Sequence, residues 1–189
     1  EHLERTAGTN DEFGEERVRD TPISEAAMVG LAIGAAINGM RPVVEIQFCD
    51  LLPLCMDQLT TLAARYHYMT GGRISVPMVI RNKFGTRPGG GPSHSSCNHG
   101  AFIPFPGLKI IIPTTPADAK GLLLSALRDL NPVLCFASHH LYGVKGPVPD
   151  GDYTVPIGVA TVRRAGKDLT MITCGGMVLK VDEAAARLK

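Results

Sequence analysis

Short apolar runs alternate along the chain with longer segments that carry an apolar residue every three or four positions. Short continuous apolar runs are typical of strands buried in a parallel sheet, and the longer period is typical of helices packed on such a sheet. The runs predict strands over residues 42–48, 76–81, 108–113 and 131–138. The periodic segments predict helices over residues 24–38, 54–69, 115–129 and 177–189.

Two of these helices have recognisable start signals. Thr21 and Pro22 precede the first helix and are interpreted as its cap and first turn,. Thr115 precedes Pro116 at the third helix, with Asp118 in its first turn, which is the order expected at a helix N-terminus,.

The order of strands and helices predicts an α/β fold. It indicates a doubly wound, mostly parallel sheet with right-handed crossovers and helices on both faces. Ligands of such sheets bind beyond the carboxyl ends of the strands. The Gly/Pro/Ser-rich segment 82–100 leaves the sheet at such an end, and long loops of this kind are usually functional or mobile,.

The chain divides into four predicted parts. Residues 1–20 form a polar N-terminal segment, 21–143 the main domain, and 144–156 a linker rich in Pro, Gly and Asp,. Residues 157–189 predict a hairpin turning at Ala165-Gly166 and then an amphipathic helix. Because two strands and one helix cannot bury a core by themselves, we expect these residues to begin a truncated second α/β domain.

The amino-acid composition argues against several classes of function and of site. The 19 basic and 18 acidic residues leave a net charge of +1 without a basic tract, which argues against nucleic acid or an anionic membrane as partner,. No apolar run is long enough to span a bilayer,. The five cysteines are widely spread and lack a CxxC motif, so zinc and a disulfide framework have little support and a reducing compartment fits better,.

Glu25 is the only acid between Asp20 and Glu45, and it opens an almost wholly apolar helix. An acid in a first turn is more often a partner of the helix dipole than a catalyst.

The same helix carries Gly30 and Gly34 on one face, at a cost of roughly 1 kcal/mol each relative to alanine,. Close packing within the chain and a subunit interface explain these glycines equally well.

The histidines are ambiguous when taken alone. His94 and His99 lie in the glycine-rich loop, where a histidine is more often a surface residue than a catalyst,. His139 and His140 follow the last predicted strand, where they face either a ligand or solvent. No acid stands at metal-ligand spacing from them.

Several segments, in the same order, resemble the β subunit of the thiamine-diphosphate-dependent 2-oxo acid dehydrogenases, most closely the pyruvate and acetoin dehydrogenase branch. The resemblance covers residues 14–189, nearly the whole chain. It includes a transketolase-like pyrimidine-binding domain. The segments are RVRDTPISEAAMVGLAIGAAINGMRPVVEIQF, MDQLTTLAARYHYMTGGRISVPMVIR, PGLKIIIPTTPADAKGLLLSALRDLNPV and LYGVKGPVP.

The resemblance implies roles for four side chains. Glu25, in TPISE, corresponds to the acid that hydrogen-bonds the aminopyrimidine of thiamine diphosphate, and this chemistry needs a sheltered carboxyl that can hold a proton. His94 corresponds to the active-site loop histidine that orients substrate or assists acyl transfer to a lipoyl group. Gln47 and Leu51 fall where family members line the aminopyrimidine pocket.

The resemblance also implies cofactors and partners. The diphosphate and its magnesium are held by an α subunit through a GDG…N motif, and this chain contains no GDG. We therefore expect an α subunit, a second β chain, a lipoyl acyltransferase and a small 2-oxo acid as partners, in the cytoplasm or, in a eukaryote, the mitochondrial matrix. Five backbone carbonyls match positions that hold a potassium ion in some members: Met78, Ala126, Leu127, Asp129 and Asn131.

Two departures from the family pattern keep alternatives open. Leu51 stands where an aromatic residue is usual, and the loop has GGGPSHSS where relatives commonly have AAQHSQ. A transketolase-like or acyloin-forming enzyme and a non-catalytic scaffold therefore remain as rival hypotheses.

Overall fold

Four short strands form one parallel sheet in the computed structural model, which describes residues 8–188. Five α-helices and several shorter helical turns surround it within that range. The strands are β1 (Val43–Ile46), β2 (Val79–Phe84), β3 (Lys109–Ile111) and β4 (Val133–Ser138). The α-helices are α1 (Thr9–Phe13), α2 (Glu25–Ile37), α3 (Tyr66–Met69), α4 (Pro116–Arg128) and α5 (Met177–Arg187).

The strands lie in the order β1-β2-β4-β3, and every neighbouring pair is parallel. The chain thus moves in one direction from β1 through β2 to β3 and turns back to β4. Because parallel crossovers are right-handed, this reversal puts the connecting helices on opposite faces. The predicted doubly wound α/β fold is confirmed.

Each face of the sheet packs against its own helices. The first face carries Ile46, Ile80 and Phe136, which are packed with α2 and the helical segment after β1. The second face carries Val79 and Val133, which are covered by α4. Alternate residues of one strand point to opposite faces, so strands buried on both sides read as the continuous apolar runs in the sequence.

Helix α2 buries one apolar stripe, formed by Val29, Ala32, Ile33 and Ala36. Its N-cap is Ser24 and not the predicted Thr21, because the helix begins three residues later than that cap requires. A Cβ added to either glycine of its other face would meet nothing within 4 Å. Packing inside this chain therefore does not account for Gly30 and Gly34.

The segment after β1 was predicted as one helix over residues 54–69, and this prediction was wrong in form. The structure has a 3₁₀-helix at Cys49–Cys55, a π-helix at Gln58–Ala63 and then α3. The buried residues Cys49, Leu52 and Cys55 are spaced by three, which matches the period of a 3₁₀-helix,.

Two predicted strand limits shift in the structure. β2 starts at Val79 and not at residue 76, and it continues to Phe84. Asn82 is buried and its side-chain amide donates to the carbonyl of Cys135 on β4, which keeps this part of the strand in the sheet. The glycine-rich loop therefore begins at Gly85.

The predicted capping of α4 is confirmed. The hydroxyl of Thr115 accepts a hydrogen bond from the Asp118 backbone N–H at 3.0 Å, and the Asp118 carboxylate accepts from the Thr115 backbone N–H at 3.1 Å. This reciprocal pair satisfies two donors at the helix start.

The linker region docks on α4. The Tyr153 hydroxyl donates to the Ala117 carbonyl, and the Ser125 hydroxyl donates to the Val155 carbonyl. The predicted hairpin around Ala165-Gly166 is absent, because residues 157–176 contain no strand. An isolated strand pair is marginally stable in water, and the described residues after Ser138 contain no strand with which it could pair. Helix α5 follows, as predicted.

Among residues 8–188, no helix is both long enough and apolar enough to cross a membrane.

Candidate functional site

The candidate site lies at the edge of the sheet where β1 ends. Helix α2 precedes β1 and packs against both β1 and the 3₁₀-helix that follows it. A helix that leads into a strand of this kind begins at the strand's carboxyl end. Glu25, the first residue of α2, therefore lies on the same edge as Gln47 and Phe48, which follow β1.

The Glu25 side chain is half-buried. Within residues 8–188, no hydrogen bond or ion pair to its carboxylate was found. The thiol of Cys55 is close enough to Glu25 for the two groups to interact electrostatically. Burial, and after it the negative charge of Glu25, raise the pKa of the Cys55 thiol to about 11. The thiol near Glu25 is therefore un-ionised at neutral pH.

The other two predicted pocket residues differ in environment. Gln47 is exposed just beyond β1, where its amide can reach a ligand. Leu51 is half-buried in the 3₁₀-helix and packs against the apolar core of the first face. Its side chain offers an aliphatic surface in place of the aromatic ring that is usual there.

The glycine-rich loop is tied to the 3₁₀-helix by three hydrogen bonds. The Ser96 backbone N–H donates to the Asp50 carboxylate at 3.2 Å, and the Cys49 thiol donates to the Ser96 carbonyl at 3.2 Å. The Asn98 side chain donates to the Cys49 carbonyl at 3.2 Å. These bonds fix the part of the loop that carries His94.

Phe48 is the centre of a group of side chains that we call the Phe48 cluster, consisting of Phe48, Arg87, His94 and His139. The His94 ring stands edge-on to the phenyl ring with centroids 4.6 Å apart, and the His139 ring stacks at 6.2 Å. The Arg87 guanidinium carbon lies 4.7 Å from the same centroid. Cations favour the face of an aromatic ring.

A cleft of about 410 Å³ opens beside this cluster. It is lined by Thr86, Arg87, Pro88, His139, His140 and Tyr142. Nothing in the sequence singled out Arg87, which is one cation in a glycine-rich loop. The sequence assigns no role to His139 and His140, and the fold brings both residues beside the glycine-rich loop.

Four of the five predicted potassium ligands lie at or just beyond the C-terminal end of α4, and four of the five carbonyls, those of Met78, Ala126, Leu127 and Asp129, already accept hydrogen bonds. The Arg41 guanidinium donates to the carbonyls of Leu127 and Asp129 at 2.8 and 2.9 Å. The Val133 N–H donates to the Met78 carbonyl at 2.9 Å, and the Asp129 N–H donates to the Ala126 carbonyl at 3.3 Å. The cation that faces these carbonyls is a guanidinium, so the arrangement does not favour potassium. The potassium site stays a prediction.

The described residues also lack a cluster of typical metal ligands. In the part of the chain that the structure describes, no three His, Cys, Asp or Glu side chains are grouped so that they could hold a metal ion. The residues present therefore do not form a magnesium site by themselves.

Comparison with known proteins identifies the family. Residues 2–145 match the pyrimidine-binding domain of transketolase. The chain belongs to this transketolase pyrimidine-binding domain family. A solved structure titled split gene transketolase, inactive beta4 tetramer, has the same fold, with a TM-score of 0.78 and 22% identity over 98% of this chain and 57% of that chain.

Several curated proteins are more similar to this chain in sequence than that solved structure is. The acetoin:2,6-dichlorophenolindophenol oxidoreductase subunit beta of Cupriavidus necator is 46% identical over 92% of this chain and 51% of its own. Two Bacillus subtilis proteins match over 97% of this chain and 57% of their own. They are the 2-oxoisovalerate dehydrogenase subunit beta, 46% identical, and the pyruvate dehydrogenase E1 component subunit beta, 43% identical. The chain thus spans about half the length of these relatives.

Proposed function

We propose that this chain is the β subunit, or the pyrimidine-binding part of it, of the decarboxylating component of a 2-oxo acid or acetoin dehydrogenase complex. The supporting observation is Glu25, a half-buried acid without a partner among residues 8–188, at the start of α2 and the carboxyl edge of the sheet. Relatives named as β subunits of such enzymes support the same proposal.

Thiamine diphosphate, when bound, supplies the electron sink that a decarboxylation requires. The Glu25 carboxyl group would hydrogen-bond a ring nitrogen of the aminopyrimidine and so hold that end of the cofactor. The side chains of Gln47 and Leu51 line the same ring. His94, held by Phe48 and by the anchored loop, orients the substrate or assists transfer of the acyl group to a lipoyl group.

The diphosphate and its magnesium are held by a separate α subunit in this proposal, since the described residues offer no metal-binding cluster. The exposed face of α2, with Gly34 and the 70% exposed Leu31, is the surface proposed to meet a second subunit. A lipoyl acyltransferase then receives the acyl group. Two plant relatives carry the word mitochondrial in their names, so the matrix is the proposed compartment for a eukaryotic source and the cytoplasm for a bacterial one.

The experiment replaces Glu25 by Gln, which keeps the shape of the side chain and removes the acid. The chain is produced together with its α partner, and decarboxylation of pyruvate and 2-oxoisovalerate is followed with an artificial electron acceptor. We expect a loss of at least about 100-fold in kcat, in the range typical of a missing acid–base group. Glu12→Gln, an exposed change in α1, serves as the matched control. Activity of E25Q equal to the control would refute the assigned role.

Leu51 and the altered loop sequence favour a second candidate, a non-catalytic scaffold. Calorimetry with thiamine diphosphate separates the two, because only the enzyme binds the cofactor in the reconstituted complex. Product analysis with pyruvate and an aldehyde acceptor tests the third candidate, an acyloin-forming enzyme. A coupled product in place of acyl transfer would favour it.

A further inference from the structure

We propose that Arg87, with His139 and His140, forms a carboxylate-binding site that makes this centre select anionic 2-oxo acids over neutral acyloins. The inference rests on the proposed function for the reaction, but the site itself stands on the geometry of this chain. Among the relatives, the printed names include both substrate classes, acetoin and 2-oxo acids.

The cleft beside the Phe48 cluster has the size for a small acid. Its volume is about 410 Å³, and it is open to solvent on one side. Its six lining residues belong to two separate segments, the start of the glycine-rich loop and the end of β4. The cleft is therefore produced by the fold and not by one flexible loop.

The cleft contains a positive charge and no negative one. Arg87 carries a permanent positive charge, and His139 and His140 add two imidazoles,. No acid is present among the residues that line the cleft. A carboxylate entering it therefore meets a cation without an internal counter-ion.

The Arg87 guanidinium is positioned by the Phe48 ring, and one of its N–H groups, at the buried Nε, lacks an acceptor among residues 8–188. Across the cleft, His140 Nε2 lies 3.1 Å from the Thr86 hydroxyl, which fixes the orientation of that imidazole. A planar guanidinium with free N–H groups binds a carboxylate through two parallel hydrogen bonds.

The cleft adjoins the side chain proposed to act in the reaction. Arg87 and His94 both lie within 5 Å of the centroid of the Phe48 ring. A carboxylate bound at Arg87 therefore lies beside the Phe48 ring, which His94 also contacts. Acetoin has no carboxylate and gains nothing from this cation.

The first test measures binding to this chain alone, with pyruvate and acetoin as probes and backbone amide shifts of the loop as the signal. We expect pyruvate to bind at least about tenfold more tightly than acetoin, in line with charge-assisted hydrogen bonds. Arg87→Gln is expected to remove this difference and Arg87→Lys to keep part of it. Arg65→Gln, at an exposed position outside the cleft, is the matched control. Equal binding of the two probes, or R87Q binding like the control, would overturn the proposal.

The second test uses the reconstituted complex. R87Q is expected to lower kcat/KM for pyruvate at least about tenfold more than it lowers kcat/KM for acetoin. An equal effect on both substrates would overturn the proposal. If the complex turned over neither substrate, the proposed function would fail, and the binding measurement would still decide whether Arg87 selects carboxylates.

Discussion

The imidazole of His94 stands edge-on to the phenyl ring of Phe48, with ring centroids 4.6 Å apart. Phe48 lies two residues after the end of β1 and is buried, so its position is set by the sheet edge. His94 belongs to a loop, and its position depends on that ring and on the bonds that tie Ser96 to the 3₁₀-helix. The rigid sheet edge thus positions a group that the loop by itself would leave mobile.

Replacing Phe48 by Leu tests this dependence. Leucine keeps an apolar side chain at the sheet edge but removes the ring that His94 contacts. We expect acyl transfer by the reconstituted complex to fall about tenfold or more, because small displacements of a catalytic group are costly. Phe13→Leu, at a half-exposed position in α1, is the control. Equal rates for the two variants would contradict the positioning role.

Gly107 packs closely against the backbone of Ala64. A Cβ at this position would come within 1.9 Å of the Ala64 carbonyl oxygen, and its φ of +100° is unfavourable for other residues,. Gly107→Ala is therefore expected to lower the free energy of unfolding by about 3 kcal/mol or more. Gly100→Ala, with open space around it, should change it little. Urea unfolding measures both, and similar midpoints would refute the argument.

The five thiols are expected to divide into two reactivity classes. Burial raises the pKa of Cys49, Cys55 and Cys135 to about 11, so almost no thiolate exists at pH 8,. Cys97 and Cys174 are exposed, although burial and then Cys174 raise the pKa of the Cys97 thiol. Mass spectrometry after brief alkylation should find Cys174 modified first, then Cys97, and the buried three only after unfolding. Early modification of Cys135 would contradict this order.

The same thiols predict how stability depends on alkaline pH. A buried thiol ionises less readily in the folded chain than in the unfolded chain, whose pKa lies near 9.0. Below pH 9 the thiol is protonated in both the folded and the unfolded chain, so it does not change the free energy of unfolding. Between pH 9 and about 11 the thiol ionises in the unfolded chain only, and this ionisation stabilises the unfolded state,. Stability should therefore fall as the pH rises from 9 to about 11. A Cys135→Ala variant should show a shallower decline, and an unchanged slope would count against this thiol as a cause.

Local sequence signals predicted the regular elements of the fold. The apolar runs of the strands and the Thr115–Asp118 capping pair act over a few residues, so their outcome is readable without the rest of the chain. The segment over 49–69 was less predictable, because its 3₁₀ and π geometry follows from which side chains the core buries. The hairpin predicted near residue 165 had a suitable pattern, but the described residues around it contain no other strand with which it could pair.

For this protein, the sequence by itself determined the doubly wound parallel sheet, its main helices and, through family resemblance, Glu25 and His94 as candidates. Only the tertiary structure brought Arg87 and His139 around Phe48 and joined Thr86 to His140, 54 positions apart. Periodicity records which face of an element is buried, whereas a cleft depends on how distant segments pack together. No local pattern contains that information.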